Sequence, residues 1–229
     1  MKKLCWVVGA IALAAAGGAY AEDGPFDLSK NCGSCHALAK PADASFERLW
    51  TRKAPDLWYA GDKFKQDWLV DWLQNPTPIR PAGYPYFMNI TQGTDHDEVD
   101  ASKLTPHPKL TKGDASAAAG ALMTLHGPPD LVPQGSFKGD MAGTRMGALS
   151  FTKLRGCAAC HEGEEGKGGL SGPALTNAGA RLKPDFIAAY IVDPQRFDPH
   201  VWMPALKLND KDVQRLTGYL AGLDSGDKP

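Results

Sequence analysis

Four cysteines and two histidines are the residues of this chain whose spacing points most directly to chemistry. In each of two motifs a histidine directly follows a C-x-x-C pair: Cys32-Gly33-Ser34-Cys35-His36 and Cys157-Ala158-Ala159-Cys160-His161. Two thiols about one helical turn apart can add to the two vinyl groups at one porphyrin edge, and the next residue then falls beneath the iron as its proximal imidazole ligand. The motifs therefore predict two covalently bound haem c groups.

Other uses of cysteine explain these motifs less completely. Two C-x-x-C pairs can form a four-cysteine zinc site, but zinc does not require a histidine after both pairs, and the pairs are 125 residues apart. Disulfides would leave both histidines without a role. A thioredoxin-like redox motif would need a βαβ pattern, and none surrounds either pair.

The first 21 residues have the pattern of a cleaved signal peptide. Lys2 and Lys3 precede the apolar run Trp6 to Gly18, and Ala19-Tyr20-Ala21 forms an A-x-A cleavage site. Cleavage would remove the fifth cysteine, Cys5, and leave only the four in the motifs. We therefore expect an exported, periplasmic protein that is soluble after cleavage, since the apolar run is short for a membrane anchor.

A 23-residue stretch of the chain matches a later stretch without gaps. Residues 54–76 align with residues 172–194, and the aligned positions are 118 residues apart. Each stretch predicts an amphipathic helix that a proline closes, at Pro76 and at Pro194. A further helix follows in each copy, capped by Asp114 in the first and by Asn209 or Asp210 in the second. These matches indicate an internal repeat.

The repeat divides the chain into two modules with little strand signal. We expect an all-α protein with a first domain over residues 22–126, a linker over 127–142 and a second domain over 143–229. Modules of this size have marginal cores, which a covalent haem would complete. The formal net charge of −1 gives no basic field for binding nucleic acid.

The chain resembles a tandem dihaem cytochrome of the class I cytochrome c family, and its second module is the closer match. The resemblance rests on the second haem motif, on Gly172-Pro173-x-Leu175, and on Met203-Pro204 before the last helix. It implies two class I cytochrome c-like helical domains in tandem. It also implies that the carbonyls of Pro173 and Pro55 accept from the proximal histidines, and that Met203 is the distal ligand of the second haem.

The first module departs from this pattern. Its counterpart of Met203-Pro204-Ala205-Leu206 is His107-Pro108-Lys109-Leu110, so we expect His107 as distal ligand of the first haem, with Met88 as the alternative. Since histidine–histidine ligation gives a lower potential than histidine–methionine ligation, we expect electrons to pass from the first haem to the second.

These ligand sets favour an electron carrier, or an electron-transfer subunit, over an enzyme. Its partners would be other redox proteins, such as a periplasmic or membrane-bound dehydrogenase, reductase or oxidase, with the membrane reached only through a partner. The alternative is a dihaem redox enzyme, peroxidase-like or thiosulfate-oxidising, with one open or labile iron. Arg181 and Lys63 occupy matching repeat positions and are candidates for pairing with haem propionates.

Overall fold

The chain folds into short helices joined by long connections. The structure is a computed structural model that describes residues 26–139 and 144–224; the predicted signal peptide at 1–21 lies outside these residues. The helices, which we number in chain order, are α1 Leu28–Asn31, α2 Phe46–Thr51, α3 Ala60–Lys63, α4 Gln66–Gln74, α5 Lys112–Leu122, α6 Thr144–Leu149, α7 Ala178–Arg181, α8 Pro184–Val192 and α9 Asp210–Ala221. A π-helical turn, Ser150–Leu154, continues α6.

The predicted amphipathic helices are α4 and α8, and the prolines act as expected. Pro184 is in the first turn of α8, where its missing N–H leaves no helical hydrogen bond unmade. Both helices end two residues before a proline, Pro76 or Pro194. Among residues 26–139 and 144–224, no helix is long and apolar enough to cross a membrane.

The caps of α5 and α9 were predicted with unequal success. Asn209 caps α9 as expected and accepts from the Asp212 N–H at 3.0 Å. The prediction that Asp114 caps α5 was wrong, because α5 begins earlier and its cap is Thr111. Thr111 Oγ1 accepts from the Asp114 N–H at 3.2 Å, so Asp114 lies inside the first turn, where its charge is also favourable.

Two short antiparallel hairpins interrupt the helical structure. Strand β1 (Ile90–Gln92) pairs with β2 (Asp97–Val99), and β3 (Glu162–Glu164) pairs with β4 (Lys167–Gly168). Strands of two or three residues in polar sequence carry too little alternation to be recognised from the pattern. The described residues therefore fit an all-α class with two small β additions.

Residues 118 apart in the sequence make matching contacts across the middle of the molecule. The Lys65 N–H donates to the Arg181 carbonyl, and the Lys183 N–H donates to the Lys63 carbonyl, both at 2.9 Å. These bonds flank an antiparallel bridge between Phe64 and Leu182. We call residues 26–126 the first half of the chain and residues 144–224 the second half. The two halves thus meet through equivalent segments, in the reciprocal manner of a two-fold interface.

The lysine side chains of these segments also make reciprocal contacts between the two halves. Lys65 Nζ donates to the Gly179 carbonyl and Lys183 Nζ donates to the Gly61 carbonyl, both at 2.5 Å. One hydrophobic cluster extends through both halves. Tyr59 of the first half lies 5.2 Å from Phe197 of the second, measured between ring centroids. The halves therefore share one core.

The predicted linker packs on the second half of the chain. The backbone N–H groups of Gly135 and Phe137 donate to the Asp185 carboxylate, at 3.0 Å and 2.8 Å. Lys138 N donates to Gln214 Oε1 at 2.8 Å, and Leu131 is buried in the shared core. Residues 131–138 are thus fixed to α8 and α9.

Two glycines give a matched test of how tightly the short helices pack. A methyl group on Gly179 would overlap the Ala221 carbonyl oxygen at the end of α9, whereas one on Gly120 in α5 would meet nothing within 4 Å. We expect Gly179→Ala to destabilise the folded protein by about 1–3 kcal/mol. Gly120→Ala should stabilise it by about 0.5–1 kcal/mol. Denaturant unfolding measures both, and stabilisation by Gly179→Ala would contradict this packing.

Candidate functional site: two cysteine–histidine motifs

The first C-x-x-C-H motif is positioned by α1, which is capped by Asp27. The His36 N–H donates to the Cys32 carbonyl at 2.9 Å, and the Cys35 N–H donates to the same oxygen at 3.1 Å. This turn continues the helix and carries both cysteines and the histidine. Cys32 is half-buried and Cys35 is exposed, and both are free thiols.

The second motif makes the same turn, three residues after the π-helical turn that continues α6. It begins with the 3-10 helix Cys157–Ala159, which follows Gly156 in the left-handed conformation at φ 69°. The His161 N–H donates to the Cys157 carbonyl at 3.0 Å, and the Cys160 N–H donates there at 3.1 Å. Both thiols are free, as thioether formation requires.

The arrangement of the cysteines disfavours the zinc and disulfide alternatives. The thiols of residues 26–139 and 144–224 form no disulfide. Within those same ranges, no three side chains of histidine, cysteine, aspartate or glutamate are grouped so that they could hold a metal ion. A four-cysteine zinc site would need all four thiols together. Each motif therefore stands alone, as haem attachment requires.

Both motif histidines are held by a proline carbonyl. His36 Nδ1 lies 2.7 Å from the Pro55 oxygen, and His161 Nδ1 lies 2.8 Å from the Pro173 oxygen. Because a carbonyl can only accept, Nδ1 carries the proton in both rings and Nε2 has a free lone pair. A bond of this kind fixes the orientation of a metal-binding imidazole and raises its basicity.

Burial keeps both imidazoles neutral. Loss of hydration lowers the pKa of His36, and the proline bond opposes that effect. The pKa of His161 is lowered chiefly by burial too, and the positive charges of Arg80 and Arg181 lower it further. Since an imidazole must be neutral to ligate iron, both rings are competent ligands at neutral pH.

His107 lies close to the first motif histidine. The ring centroids of His36 and His107 are 6.2 Å apart, and the ring planes are inclined by 51°. A metal–imidazole bond is about 2 Å long, so two imidazoles on opposite sides of one metal ion have centroids about 6 Å apart. The observed separation fits an iron held between the two rings.

The tautomer of His107 also suits a ligand. His107 Nδ1 lies 2.9 Å from the Pro108 carbonyl and donates to it, which leaves Nε2 free. Met88, the alternative ligand, lies in the 3-10 turn Tyr86–Met88, in the same long connection as His107. The geometry therefore favours His107 over Met88.

Helix α4 holds His107 in place through an aromatic stack. Phe64, two residues before α4, is followed by Trp68 and Trp72 on α4, at centroid separations of 6.0 and 5.6 Å. Trp72 in turn lies 4.8 Å from the His107 ring. The Leu110 N–H donates to the Leu73 carbonyl at 2.9 Å and fixes the same loop. Trp68 and Trp72 therefore line one side of this site.

Met203 lies in the loop before α9. Its side chain is half-buried, and its carbonyl accepts from Gln195 Nε2 at 2.8 Å. Met203 precedes α9 by seven residues, whereas His107 precedes α5 by five. The two loops therefore differ in length, and the pairing of His107 with Met203 by sequence distance was approximate. The distal role of Met203 stays a prediction.

The repeat-related cations end matching helices, α3 and α7. Arg181 is 3% exposed; it donates to Asn177 Oδ1 at 2.9 Å and to the Ala174 carbonyl. Burial lowers the pKa of Arg181 to about 10. Lys63 is partly buried, and loss of hydration lowers its pKa to about 7, with the charges of Arg181 and Arg80 adding to the effect. An anion beside them would compensate the charge of two groups this dehydrated.

Two residues beside the second site were missed by the sequence reasoning. Arg80 and Tyr84 belong to the first half, in the connection between α4 and α5. Arg80 donates to the Ser171 carbonyl. The carbon at the centre of its guanidinium lies over the Tyr84 ring, 5.5 Å from the ring centroid. Both are far from the second motif in sequence and outside the repeat, so no local pattern could have identified them.

Comparison with known proteins supports part of this site. A family model described as cytochrome c matches residues 146–224, which include the second motif, Pro173, Arg181 and Met203. No curated protein and no solved structure matches the chain. The matched domain supports a c-type cytochrome, a haem-based electron-transfer protein with covalently bound haem c.

Proposed function

We propose that the chain is a dihaem c-type cytochrome that carries single electrons between redox partners. The main support for a second haem is that the first motif, which lies outside the family match, repeats the geometry of the second motif. Both motifs make the same turn, and both histidines donate Nδ1–H to a proline carbonyl. A single cytochrome domain would have no use for the second such arrangement.

The residues present fit two haem groups. The first would be held by Cys32 and Cys35 through thioether bonds, with His36 and His107 on the iron. The second would be held by Cys157 and Cys160, with His161 and Met203 on the iron. Iron ligated in this way alternates between the ferric and ferrous states and so carries one electron.

The two ligand sets give the two sites different reduction potentials. The imidazole pair of His36 and His107 favours the ferric state more than the imidazole–thioether pair of His161 and Met203 does. We therefore expect the first site to have the lower potential and electrons to pass from it to the second. The reciprocal contacts at Phe64 and Leu182 hold the halves together for that transfer.

The dehydrated cations Arg181 and Lys63 are placed to pair with propionates of the proposed haem groups. The charge of Arg181 lowers the pKa of His161 and that of Lys63 lowers the pKa of His36, so each cation lies within electrostatic range of the motif histidine of its own half. Arg181 has neutral hydrogen-bond acceptors in the protein, Asn177 and the Ala174 carbonyl. A propionate at each site would supply the missing negative charge and raise the pKa of the lysine.

The proposed setting is the periplasm, with redox proteins as partners. Residues 1–21 have the signal-peptide pattern, and c-type haem is attached to exported chains. Acidic residues at 95–100 and 162–165 offer charge for docking a basic partner. These features support a carrier, or an electron-transfer subunit of a larger complex.

A ligand-binding spectrum separates the carrier from a dihaem enzyme. When both axial positions are filled by protein ligands, we expect the reduced protein to keep its visible spectrum under carbon monoxide and the oxidised protein to keep it under cyanide. Reversible one-electron titration should show two waves. Rapid carbon monoxide binding to the wild-type protein at either haem would contradict the carrier and favour an enzyme with an open iron.

A further inference from the structure

A segment of the first half lies against the loop that holds the second motif histidine. The Ala174 N–H donates to the Ile79 carbonyl at 2.8 Å, and Arg80 Nη1 donates to the Ser171 carbonyl. Between these two anchors lies Pro173, whose carbonyl accepts from His161 Nδ1. The first half thus fixes both sides of the carbonyl that orients His161.

The loop at 171–174 has no room to move relative to the imidazole. The Gly172 N–H donates to the Cys160 carbonyl at 2.6 Å. A Cβ atom on Gly172 would lie 2.6 Å from both Cε1 and Nδ1 of His161, far inside contact distance. A shift of this loop would therefore be transmitted directly to the ring.

Arg80 also places an uncompensated positive charge near His161. Among residues 26–139 and 144–224, no carboxylate pairs with Arg80 or with Arg181. The Tyr84 ring centroid lies 5.5 Å from the Arg80 guanidinium and 4.8 Å from that of Arg52, and the Tyr84 hydroxyl is buried without a hydrogen-bond partner in the described part of the chain. Arg52 is paired with Asp198, so the Arg80 guanidinium and the Tyr84 hydroxyl are the two groups left to donate to an anionic group.

We propose that the first half completes the second haem site through Arg80, which fixes the 171–174 loop behind His161 and, with the Tyr84 hydroxyl, receives a propionate of that haem. The inference rests on the proposed function. It assigns Arg80 as a positioning residue and predicts that the second haem senses the first half of the chain.

The test is a redox titration that resolves both haems in Arg80→Gln and Arg80→Lys. A nearby positive charge favours the ferrous state, so its loss in Arg80→Gln should favour that state about tenfold less at the second haem, a downward shift of about 59 mV for one electron. The first haem should keep its potential. Arg80→Lys should restore most of the shift, because it keeps the charge.

Lys112→Gln is the matched control. Lys112 is exposed in α5, so the substitution removes the same formal charge from the first half and should leave both potentials unchanged. An unaltered second haem in Arg80→Gln, or equal shifts at both haems, would overturn the proposal. A wild-type protein with a single haem would instead contradict the proposed function.

Tyr84→Phe provides a second test that keeps the fold. Removing a buried hydroxyl that has no partner should raise thermal stability or leave it unchanged. Removing one that donates to a propionate should lower the thermal stability of the haem-loaded protein and change the spectrum or potential of the second haem only. A Phe variant as stable as wild type, with both potentials unaltered, would overturn the role of Tyr84 and Arg80 as a propionate site.

Discussion

Replacing Cys157 and Cys160 with alanine is expected to halve the haem content of the protein, from two groups per chain to one. The same loss is expected for Cys32→Ala with Cys35→Ala, and replacing all four should leave a chain without haem. Each pair supplies both thioether bonds to one porphyrin, and the remaining imidazole cannot hold the group covalently. Intact-mass measurement and the absorbance of the reduced pyridine adduct in alkali, in which haem c stays attached to the chain, count the groups directly.

The comparison between the two pairs is the sharpest test of a second haem. The family match covers only residues 146–224, so the second pair is supported by two observations and the first pair by its geometry alone. Haem content that is unchanged after loss of the first pair would show that Cys32 and Cys35 attach nothing. Cys5→Ala, which alters a cysteine outside both motifs, is the control and should leave two haems.

The spacing of the attachment residues was predictable because covalent chemistry permits few alternatives. Two thioethers and one ligand on a single porphyrin require the three side chains within one turn, and that turn is visible in five residues of sequence. The proline carbonyls required more, because Pro55 lies 19 residues after His36 whereas Pro173 lies only 12 after His161. The alignment of the two halves identified Pro55 despite this difference.

Contacts between the halves could not be predicted from either half alone. The connection between α4 and α5 has 37 residues, whereas the one between α8 and α9 has 17. The longer connection contains the β1–β2 hairpin and the segment with Ile79 and Arg80. Where such a segment packs depends on the surface of the other half, and a pattern of local propensities carries no information about that surface.

The distal ligand shows the same limit more clearly. Sequence distance to the next helix suggested His107 but left Met88 open, because both lie in the long connection. The choice depends on the aromatic face of α4, where Trp72 contacts the His107 ring. Helical periodicity predicted that face. Its contact with a histidine 35 residues later is a tertiary contact, which a local sequence pattern does not encode.

Replacing His107 is expected to alter only the first haem. In His107→Ala the distal position loses its imidazole, so the reduced first haem should bind carbon monoxide while the second stays inert. In His107→Met a thioether replaces an imidazole, and the potential of the first haem should rise towards that of the second. Optical titration and carbon monoxide difference spectra measure both effects.

Met88→Leu is the control for the same experiment, since Met88 is the one methionine proposed as a rival ligand. The observation that favours His107 is its ring, which lies 6.2 Å from that of His36 between centroids. Met88→Leu should therefore leave the spectrum, both potentials and the inertness to carbon monoxide unchanged. If Met88→Leu opens the first iron and His107→Ala does not, Met88 is the ligand. The first site would then have the same ligand types as the second, and the driving force for transfer between them would have to come from the charges around each haem.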